Sequence, residues 1–590
     1  MRSLHTLDVN KPLLPRRALR LAPLRLRASC VPPLLAASLL LGTATLASAA
    51  DGAGLAGRLD PIFAQWNKKT SPGCALAVLQ RGHIEYAHGY GMANLELGVP
   101  LSTHSVFDIG SVSKQFTAAS VVLLAQDGRL SLDDEIHKYV PELPDYGAPI
   151  SLRQMLHHLS GLRSYTDLFD LAGIPEANIT TEEDALALIA RQHTLNFAPG
   201  AQYLYSDTNY FLLGVVVHRV SGKSLRDFAQ ERLFGPLGMT HTHFHDDHRM
   251  IVAGRATGYT PTASGGFEIL MSNFEELGDG SVMTTVEDMA RWDANFYDPK
   301  VGGKALIAQL LERGARSDGS ASDYALGMIQ DHYRGLPRVQ HTGEWAGYRA
   351  SYQRFAQQGV GIVLLCNSVG SLDTLALGER VADQVLGKAF PAAKPTPAPV
   401  AAVNSAGTAY AGRYWDAKTF SFLQISAPTA GHPDRLVVDA GDGPQPLRVA
   451  GPGLFTGENS TSRYAFTAAT PDTPQQVSVL GDDSDPVILE ALPADASTAV
   501  SAADLAPLAG TYENTELGAR WTLEVQDGHL YRRQPYFGRQ ELRPLMPDTF
   551  RGELSEGSYV VRVQRDEHGQ VSGLQAASLM VRPLPFVRLP

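Results

Sequence analysis

The pattern of hydrophobic and polar positions differs between regions of the chain. Between Asp51 and Phe390, strand-like apolar runs alternate with segments whose apolar residues recur every three or four positions, as in amphipathic helices. The strand-like runs are GCALAVLQRG and HIEYAHGYG near the start of this region, and PRVQHTG, GYRASYQRFAQ and GVGIVLLCN near its end. Strands at both ends with helices between them predict an α+β domain, over residues 50–390, that closes around one sheet.

Boundary signals support several helices in this region. The apolar segment from about Ser111 to Gln126 ends at Asp127-Gly128, a typical helix stop. Ser151 is a suitable N-cap for the short segment LRQMLHHL. Four later segments have helical period: TEEDALALIAR, NYFLLGVVVHRVSG, SLRDFAQERLF and TTVEDMARWDANF.

The C-terminal third has a different pattern. Residues 391–404 are rich in Pro and Ala, which predicts a linker. Beyond it, short β-type runs alternate with Gly, Asp and Pro turns, and long helical periods are absent. The tetrapeptides AGRY and AGTY, which begin at Ala411 and Ala509, echo each other about 98 residues apart. We therefore predict two related all-β modules, each a small barrel or sandwich, over residues 405–500 and 501–590.

The N-terminal segment predicts an export signal. A basic stretch precedes an apolar run from Val31 to Leu46, and Ala47-Ser48-Ala49 forms a small-x-small cleavage site. The apolar run is about 16 residues long and contains two prolines, so it is short for a membrane span. We expect residues 1–49 to be a cleavable signal peptide of a periplasmic or secreted bacterial protein, with an uncleaved anchor as the alternative. The sequence does not decide between Sec and Tat export.

Charge and composition exclude several classes of protein. Hydrophobic residues make up 44% of the chain and charged residues 19%, so the chain is globular rather than disordered. Without residues 1–49, the chain carries 43 basic and 60 acidic residues, a net charge of −17. Such a surface repels phosphate backbones and anionic lipid, so neither nucleic acid nor a membrane is an expected partner.

Three cysteines in 590 residues cannot form a disulfide framework or a zinc site built of cysteine. Cys30 lies in the predicted signal peptide. Cys74 and Cys366 each lie in an apolar, strand-like run. We expect these two to be buried thiols, with a disulfide between them as the alternative.

The sequence Ser111-Val112-Ser113-Lys114 is the first candidate for chemistry. At positions i and i+3 of a helix, the serine hydroxyl and the lysine ammonium share one face. The serine falls in the first turn, where free backbone N–H groups favour developing negative charge. A neighbouring lysine or tyrosine can take the proton of such a serine.

Two further motifs follow in the chain. Tyr205-Ser206-Asp207-Thr208-Asn209-Tyr210 lies between a Pro-Gly turn and a predicted helix. His341-Thr342-Gly343 ends an apolar strand and is followed by Glu344-Trp345. In this order, the three motifs resemble those of the serine β-lactamase and penicillin-binding superfamily, S-x-x-K, Y-x-N or S-D-N, and K-T-G.

The sequences around these motifs resemble the class C β-lactamase-related branch, which is the branch of peptidase family S12. They are FDIGSVSKQFTA, GRLSLDDEIHKYVPELP, LRQMLHHLSGL, PGAQYLYSDTNY, FGPLGMT and GSVMTTVEDMARW, and the resemblance covers about residues 55–390. It implies a β-lactamase/transpeptidase-like domain with an antiparallel sheet flanked by helices. H-T-G with two trailing β modules is most similar to the D-aminopeptidase subgroup.

The resemblance also implies a role for each matching residue. Ser111 is expected to be the acylated nucleophile, and Lys114 and Tyr205 to handle its proton. The backbone N–H groups of Ser111 and Glu344 are expected to form the oxyanion hole. His341 is expected in the third-motif position of the catalytic cleft. Substrate-binding residues are expected at Thr342, Gly343, Asn209 and Trp345, although Trp345 can equally serve packing.

Two departures from the family pattern concern charge. Asp207 stands where relatives usually have Asn, and a carboxylate beside Lys114 favours its ammonium form, so we favour Tyr205 as the base. His341 replaces lysine, and an imidazole binds a substrate carboxylate less firmly than an ammonium does. Both departures favour a substrate with a free cationic amine over one with a carboxylate, such as a β-lactam.

We therefore predict a serine hydrolase that forms an acyl-enzyme, needs no metal or organic cofactor, and cleaves a small peptide or amide containing a D-residue, as a D-aminopeptidase or a DD-carboxypeptidase-like enzyme does. One alternative is an esterase or weak class C-like β-lactamase, and another is a catalytically silent penicillin- or wall-binding protein.

The histidine-rich stretch from His241 to His248 is interpreted as a surface loop with solvated histidines rather than a catalytic metal site. His157 and His158 are interpreted as packing residues. The oligomeric state is not predicted.

Overall fold

The computed structural model describes residues 54–391, apart from 176 and 371, and residues 408–590, apart from 428–434, 442, 458–461, 472, 494–499 and 556. The predicted signal peptide and most of the predicted linker lie outside the described residues. Among the described helices, none has the length and apolar character needed to cross a bilayer.

The helices and strands are as follows. The helices are α1 (54–63), α2 (Lys114–Gln126), α3 (Leu152–Leu156), α4 (Tyr165–Ala172), α5 (Glu182–Ile189), α6 (Asp207–Ser221), α7 (Leu225–Ala229), α8 (Gly235–Leu237), α9 (Val286–Asn295), α10 (Gly303–Leu310), α11 (Thr374–Leu386) and α12 (Ala502–Leu505). The strands before the linker are β1 (Cys74–Gln80), β2 (His83–Tyr90), β3 (Met92–Asn94), β4 (Val99–Pro100), β5 (Phe107–Asp108), β6 (His243–Phe244), β7 (Tyr259–Pro261), β8 (Phe267–Ile269), β9 (Val282–Thr284), β10 (Ile329–Tyr333), β11 (Leu336–Trp345), β12 (Tyr348–Phe355) and β13 (Val360–Cys366). Those after it are β14 (Gly412–Asp416), β15 (Ser421–Ser426), β16 (Val437–Asp439), β17 (Gln445–Gly451), β18 (Leu454–Gly457), β19 (Arg463–Thr467), β20 (Gln476–Leu480), β21 (Val487–Ala491), β22 (Gly510–Asn514), β23 (Ala519–Gln526), β24 (His529–Gln534), β25 (Gly538–Met546), β26 (Thr549–Glu553), β27 (Ser558–Arg565), β28 (Val571–Ser578) and β29 (Leu584–Arg588).

The central sheet of the N-terminal domain is antiparallel, with strand order β10-β11-β12-β13-β1-β2. Along β1, Cys74, Leu76 and Val78 pack in one apolar cluster with α1 and α11, while Ala75 and Ala77 pack in another cluster with α2 and α9. Because helices cover both faces, β1 is apolar at nearly every position instead of alternating. The predicted α+β fold is confirmed, and β10 is an additional strand that the sequence pattern did not indicate.

The prediction of two buried thiols is wrong, because Cys74 and Cys366 form a disulfide. Strands β1 and β13 pair in a register that puts these two residues directly opposite each other, with Cα atoms 4.0 Å apart. Both residues are fully buried, as expected. The pairing joins β1 and β13, which come first and last along the chain among the strands of this sheet, and the two cysteines are 292 residues apart in sequence.

The C-terminal modules are two closed antiparallel barrels of eight strands each, barrel 1 (β14–β21) and barrel 2 (β22–β29). The echoed tetrapeptides begin the first strand of each barrel. Their tyrosines, Tyr414 and Tyr512, are fully buried and donate hydrogen bonds to the carbonyl groups of Tyr410 and Leu508, four residues earlier. The repeat therefore marks the same arrangement in both barrels, a buried tyrosine whose hydrogen bond holds a short helical turn against the barrel.

Candidate active site

The candidate nucleophile, Ser111, lies in a short 3₁₀ turn, Gly110–Ser113, that leads into α2. The predicted helix thus begins three residues later than expected. Gly110 has a φ of +47°, and a methyl group on it would lie 2.7 Å from the backbone N of Glu344. A methyl group on Gly343 would lie 1.9 Å from the Ile109 carbonyl oxygen. Glycine at both positions therefore lets β11 approach the turn, which brings the backbone N–H of Glu344 beside Ser111.

Lys114 is fully buried, whereas Ser111 is partly exposed. The lysine Nζ atom donates hydrogen bonds to Ser111 Oγ at 2.9 Å, Asp207 Oδ1 at 2.8 Å and the Asp279 carbonyl oxygen at 2.7 Å. Three acceptors match the three N–H bonds of an ammonium, and a carboxylate in contact stabilises that charge. In this arrangement Lys114 donates a hydrogen bond to the candidate nucleophile, and the choice of Tyr205 over Lys114 as the base stays a prediction.

Tyr205 immediately precedes Ser206 at the N-terminus of α6 and is buried against Ser111 and Lys114. Its ring centre lies 4.9 Å from Lys114 Nζ. Burial, and secondarily the charge of Asp207, raise the pKa of Tyr205 well above its ordinary value, while the neighbouring Ser111 hydroxyl opposes the rise. The resting phenol is therefore neutral, and it accepts a proton only after losing its own, a step that the adjacent ammonium favours.

His341 lies on β11 and is also buried. Its Nε2 atom is 3.0 Å from the hydroxyl of Tyr324, and its Nδ1 atom faces the Thr342 carbonyl oxygen. Burial lowers the pKa of His341 to about 4, so the imidazole is neutral at pH 7. A neutral ring bonded to Tyr324 lines the wall of the site and offers no cation to a substrate carboxylate.

The predicted substrate-binding residues lie in different environments. Thr342 and Gly343 lie on the edge of β11, and Trp345 packs on Phe274 with ring centres 5.1 Å apart. The side chain of Asn209 is fully buried and bonded to Ser160 and His158, so its contact with substrate stays a prediction. Two residues along a helix correspond to about 200° of rotation, so Asn209 points away from the side that Asp207 faces.

His157 and His158 are buried beneath this site. The ring of His158 stacks on Tyr205 at 4.3 Å, and its Nδ1 atom accepts a hydrogen bond from the backbone N–H of Ser206. Burial lowers the pKa of His158 well below its ordinary value. These contacts position the Tyr205 ring, a role that the sequence did not indicate beyond packing.

Asp279 is a further residue that sequence analysis missed. Its carbonyl accepts a hydrogen bond from Lys114, and its buried carboxyl group accepts one from the hydroxyl of Tyr165. Burial, followed by the charge of Asp207, raises the pKa of Asp279 to about 7. Asp279 falls just before the family-like stretch GSVMTTVEDMARW, and that proximity was the only signal for it.

The turn between β20 and β21 of barrel 1 reaches this site from another domain. The backbone N–H of Tyr205 donates to the Asp483 carbonyl at 2.7 Å, and that of Tyr203 donates to the Asp485 carboxylate at 2.9 Å. Asp485 also forms an ion pair with Arg316. Burial, followed by the charges of Asp482 and Glu344, raises the pKa of Asp483 to about 7. The backbone of Asp483 therefore lies beside Tyr205, and the residue is partly exposed.

The histidine-rich stretch differs in part from the expectation. His245 is buried and His243 is half-buried, so these two are not solvated. Within the described part of the chain, the group with metal-ligand geometry is Asp247, His248 and Glu275. In this structure His248 bonds to Glu275, and Asp247 pairs with Arg249.

Comparisons with known proteins place these features in a family. The model of the Beta-lactamase family matches residues 59–386. The D-aminopeptidase of Cereibacter sphaeroides is 26% identical over 531 residues, covering 88% of this chain and 96% of the relative. The D-aminopeptidase of Brucella melitensis is 25% identical over 529 residues, with the same coverage. Among solved structures, the octameric penicillin-binding protein homologue from Pyrococcus abyssi has a TM-score of 0.53 and 22% identity, covering 75% of this chain and 100% of its own.

Proposed function

Because this chain belongs to the Beta-lactamase family and is a serine hydrolase, we propose that it is an exported D-aminopeptidase that cleaves the amide bond after an N-terminal D-residue. The observation that carries the proposal is the barrel 1 turn, which holds Asp483 beside Tyr205. The D-aminopeptidase relatives, whose alignments cover most of both chains, support the same substrate class.

The proposed reaction proceeds through an acyl-enzyme. Tyr205 first loses its phenolic proton to solvent, and the Lys114 ammonium stabilises the resulting phenolate. Ser111 Oγ then attacks the scissile carbonyl carbon, and its proton passes to this phenolate. The backbone N–H groups of Ser111 and Glu344 stabilise the oxyanion. Tyr205 then protonates the departing amine, and water hydrolyses the ester to release the amino acid and free Ser111.

Charge favours an amine rather than a carboxylate in the substrate. Around Lys114 the site brings together the carboxyl groups of Asp207, Asp279 and Asp483, while His341 is neutral. A cationic α-amine gains a charge-assisted hydrogen bond with Asp483, and an anionic substrate gains no such partner. A β-lactam, which carries a carboxylate, therefore fits this site less well, and we place the esterase or weak β-lactamase second.

Export is part of the proposal. The signal-like residues 1–49 support it, and so does the disulfide between Cys74 and Cys366, since disulfides persist mainly in oxidising compartments.

Paired initial rates on the chain from residue 50 to 590 test the proposed function. The substrates are D-alanyl p-nitroanilide, its N-acetylated form and a short-chain p-nitrophenyl ester, with Ser111→Ala as the control throughout. We expect the anilide to be cleaved only when its amine is free. Cleavage of the ester alone would instead place the protein among the esterases. No turnover of any substrate, together with an unreactive Ser111, would identify a silent binding protein.

A pH–rate comparison tests the role of Asp207. Its carboxylate contributes to the raised pKa values of both Asp279 and Tyr205. In Asp207→Asn that negative neighbour is gone, so both pKa values fall. We expect the limbs of the kcat/KM profile on the p-nitrophenyl ester to move to lower pH by about one pH unit.

The matched control is Asp485→Asn, which removes a carboxylate from the neighbouring turn and should leave the limbs in place. Limbs that stay fixed in Asp207→Asn would contradict the assignment of Tyr205 as a base supported by Lys114.

A further inference from the structure

The N-terminal half of α4 holds the acidic groups that surround Lys114. Asp207 Oδ2 accepts hydrogen bonds from the hydroxyl groups of Ser164 at 3.2 Å and Thr166 at 3.0 Å. The hydroxyl of Tyr165 donates to the Asp279 carboxylate. Because Lys114 binds the other oxygen of Asp207, the position of α4 sets the orientation of the Lys114–Asp207 pair.

Three residues of the same helix, Asp167, Asp170 and Leu171, are bonded to barrel 2. Asp170 accepts hydrogen bonds from the backbone N–H of Ser555 at 2.7 Å and from its hydroxyl at 2.8 Å. The carbonyl of Leu171 accepts from Trp521 Nε1 at 2.9 Å and Gln534 Nε2 at 3.0 Å. Asp167 accepts a hydrogen bond from Ser578.

The end of α4 is also in close steric contact with the barrel. The helix ends at Gly173, whose φ is +89°, and a methyl group there would lie 2.9 Å from the Gln534 side chain. Asp170 and Trp521 are both buried in this contact. The eight residues of α4 thus connect barrel 2 to Asp207, the carboxylate that binds Lys114. A rigid element can transmit a displacement of one end to the other.

We propose that barrel 2 positions the catalytic Lys114–Asp207 pair through α4, and that Asp170 is a positioning residue of the active site. The inference deepens the proposed function, since it assigns barrel 2 a role in acylation. Barrel 1, in that function, supplies the carboxylate that binds the substrate amine. It does not depend on which amide is cleaved, because Lys114 and Asp207 act on Ser111 itself.

Asp170→Ala tests the proposal in the full mature chain. The variant removes both hydrogen bonds to Ser555 and touches no group in the cleft. We expect the rate of Ser111 modification by a fluorophosphonate, and kcat on a cleaved substrate, to fall about tenfold with KM unchanged. Asp170→Asn keeps an oxygen acceptor for Ser555 and should recover most of the loss.

The matched control is Asn196→Ala. Asn196 also makes two hydrogen bonds to barrel 2, to the Met580 carbonyl and from the backbone N–H of Arg582, but lies outside α4. We expect Asn196→Ala to leave both rates within about twofold of the wild type. Equal losses in both variants would overturn the proposal, because they would reflect general weakening of the domain contact.

Hydrogen–deuterium exchange gives a readout that needs no activity. Exchange over residues 205–210 should be faster in Asp170→Ala than in Asn196→Ala. The same exchange rate in both would overturn the proposal. A failure of the D-aminopeptidase function alone would appear only with the amide substrates and would leave the exchange and fluorophosphonate results intact.

Discussion

Asp483→Asn should lower kcat/KM for D-alanyl p-nitroanilide by about 100-fold or more and leave a short-chain ester within about threefold. Asparagine keeps the shape of the side chain and the backbone carbonyl that accepts the Tyr205 N–H, but removes the negative charge. Removing one partner of a desolvated charge pair costs about 2–5 kcal/mol, and 100-fold corresponds to about 2.7 kcal/mol. Steady-state kinetics on both substrates measures the difference.

Asp485→Asn is the control on the same turn. The carboxylate of Asp485 is already bonded to the backbone N–H of Tyr203 and to Arg316. If displacement of the turn caused the loss, this variant would lose the amide activity as well. An Asp483→Asn variant that slows amide and ester equally would rule out Asp483 as the amine anchor.

The assignment of Asp483 as the amine anchor also determines the direction in which amide cleavage changes with pH. The pKa of Asp483 is raised to about 7, so the group is ionised above that pH and protonated below it. Binding of a cationic amine should therefore weaken as the pH falls through 7, whereas ester cleavage does not require it. The ratio of the two kcat/KM values isolates Asp483 from Asp279, which has a similar pKa and acts on both reactions. In Asp483→Asn this ratio should no longer change across pH 7.

Loss of the disulfide should lower the free energy of unfolding by about 2–5 kcal/mol. The cross-link joins strands whose cysteines are 292 residues apart, so it restricts a large part of the unfolded chain. Urea unfolding of the wild type, with and without prior reduction in denaturant, measures the effect without changing any residue. Cys74→Ala/Cys366→Ala is the control, since reductant should not alter its midpoint. Equal midpoints for oxidised and reduced wild type would contradict the prediction.

Local spacing explains which parts of the site were predictable. Ser111 and Lys114 share a turn, so their proximity follows from helix geometry alone. Tyr414 and Tyr512 stand out because each belongs to a repeated tetrapeptide, and each bonds to a carbonyl only four residues earlier. The alternation of strands and helices was enough to predict the domain class.

Contacts between distant segments were not predictable in the same way. The disulfide depends on the register of β1 against β13, which nothing in either strand specifies, since both are apolar at nearly every position. The acidic residues of the turn between β20 and β21, GDDSDP at 481–486, are visible in the sequence, but their placement beside Tyr205 depends on the packing of a separate barrel. Asn209 is close in sequence to Tyr205 and Asp207, but its burial against Ser160 and His158 depends on the packing of distant segments.

The hydrogen bonds between residues 203–205 and residues 482–485 also join segments that are synthesised at different times. The partners are 282 residues apart at Tyr203 and Asp485, and synthesis at about 5–20 residues per second separates them by tens of seconds. Such high contact order makes the amine-reading site one of the last parts to form. A nascent chain that ends before Asp485 therefore lacks the turn that, in the proposed function, binds the substrate amine.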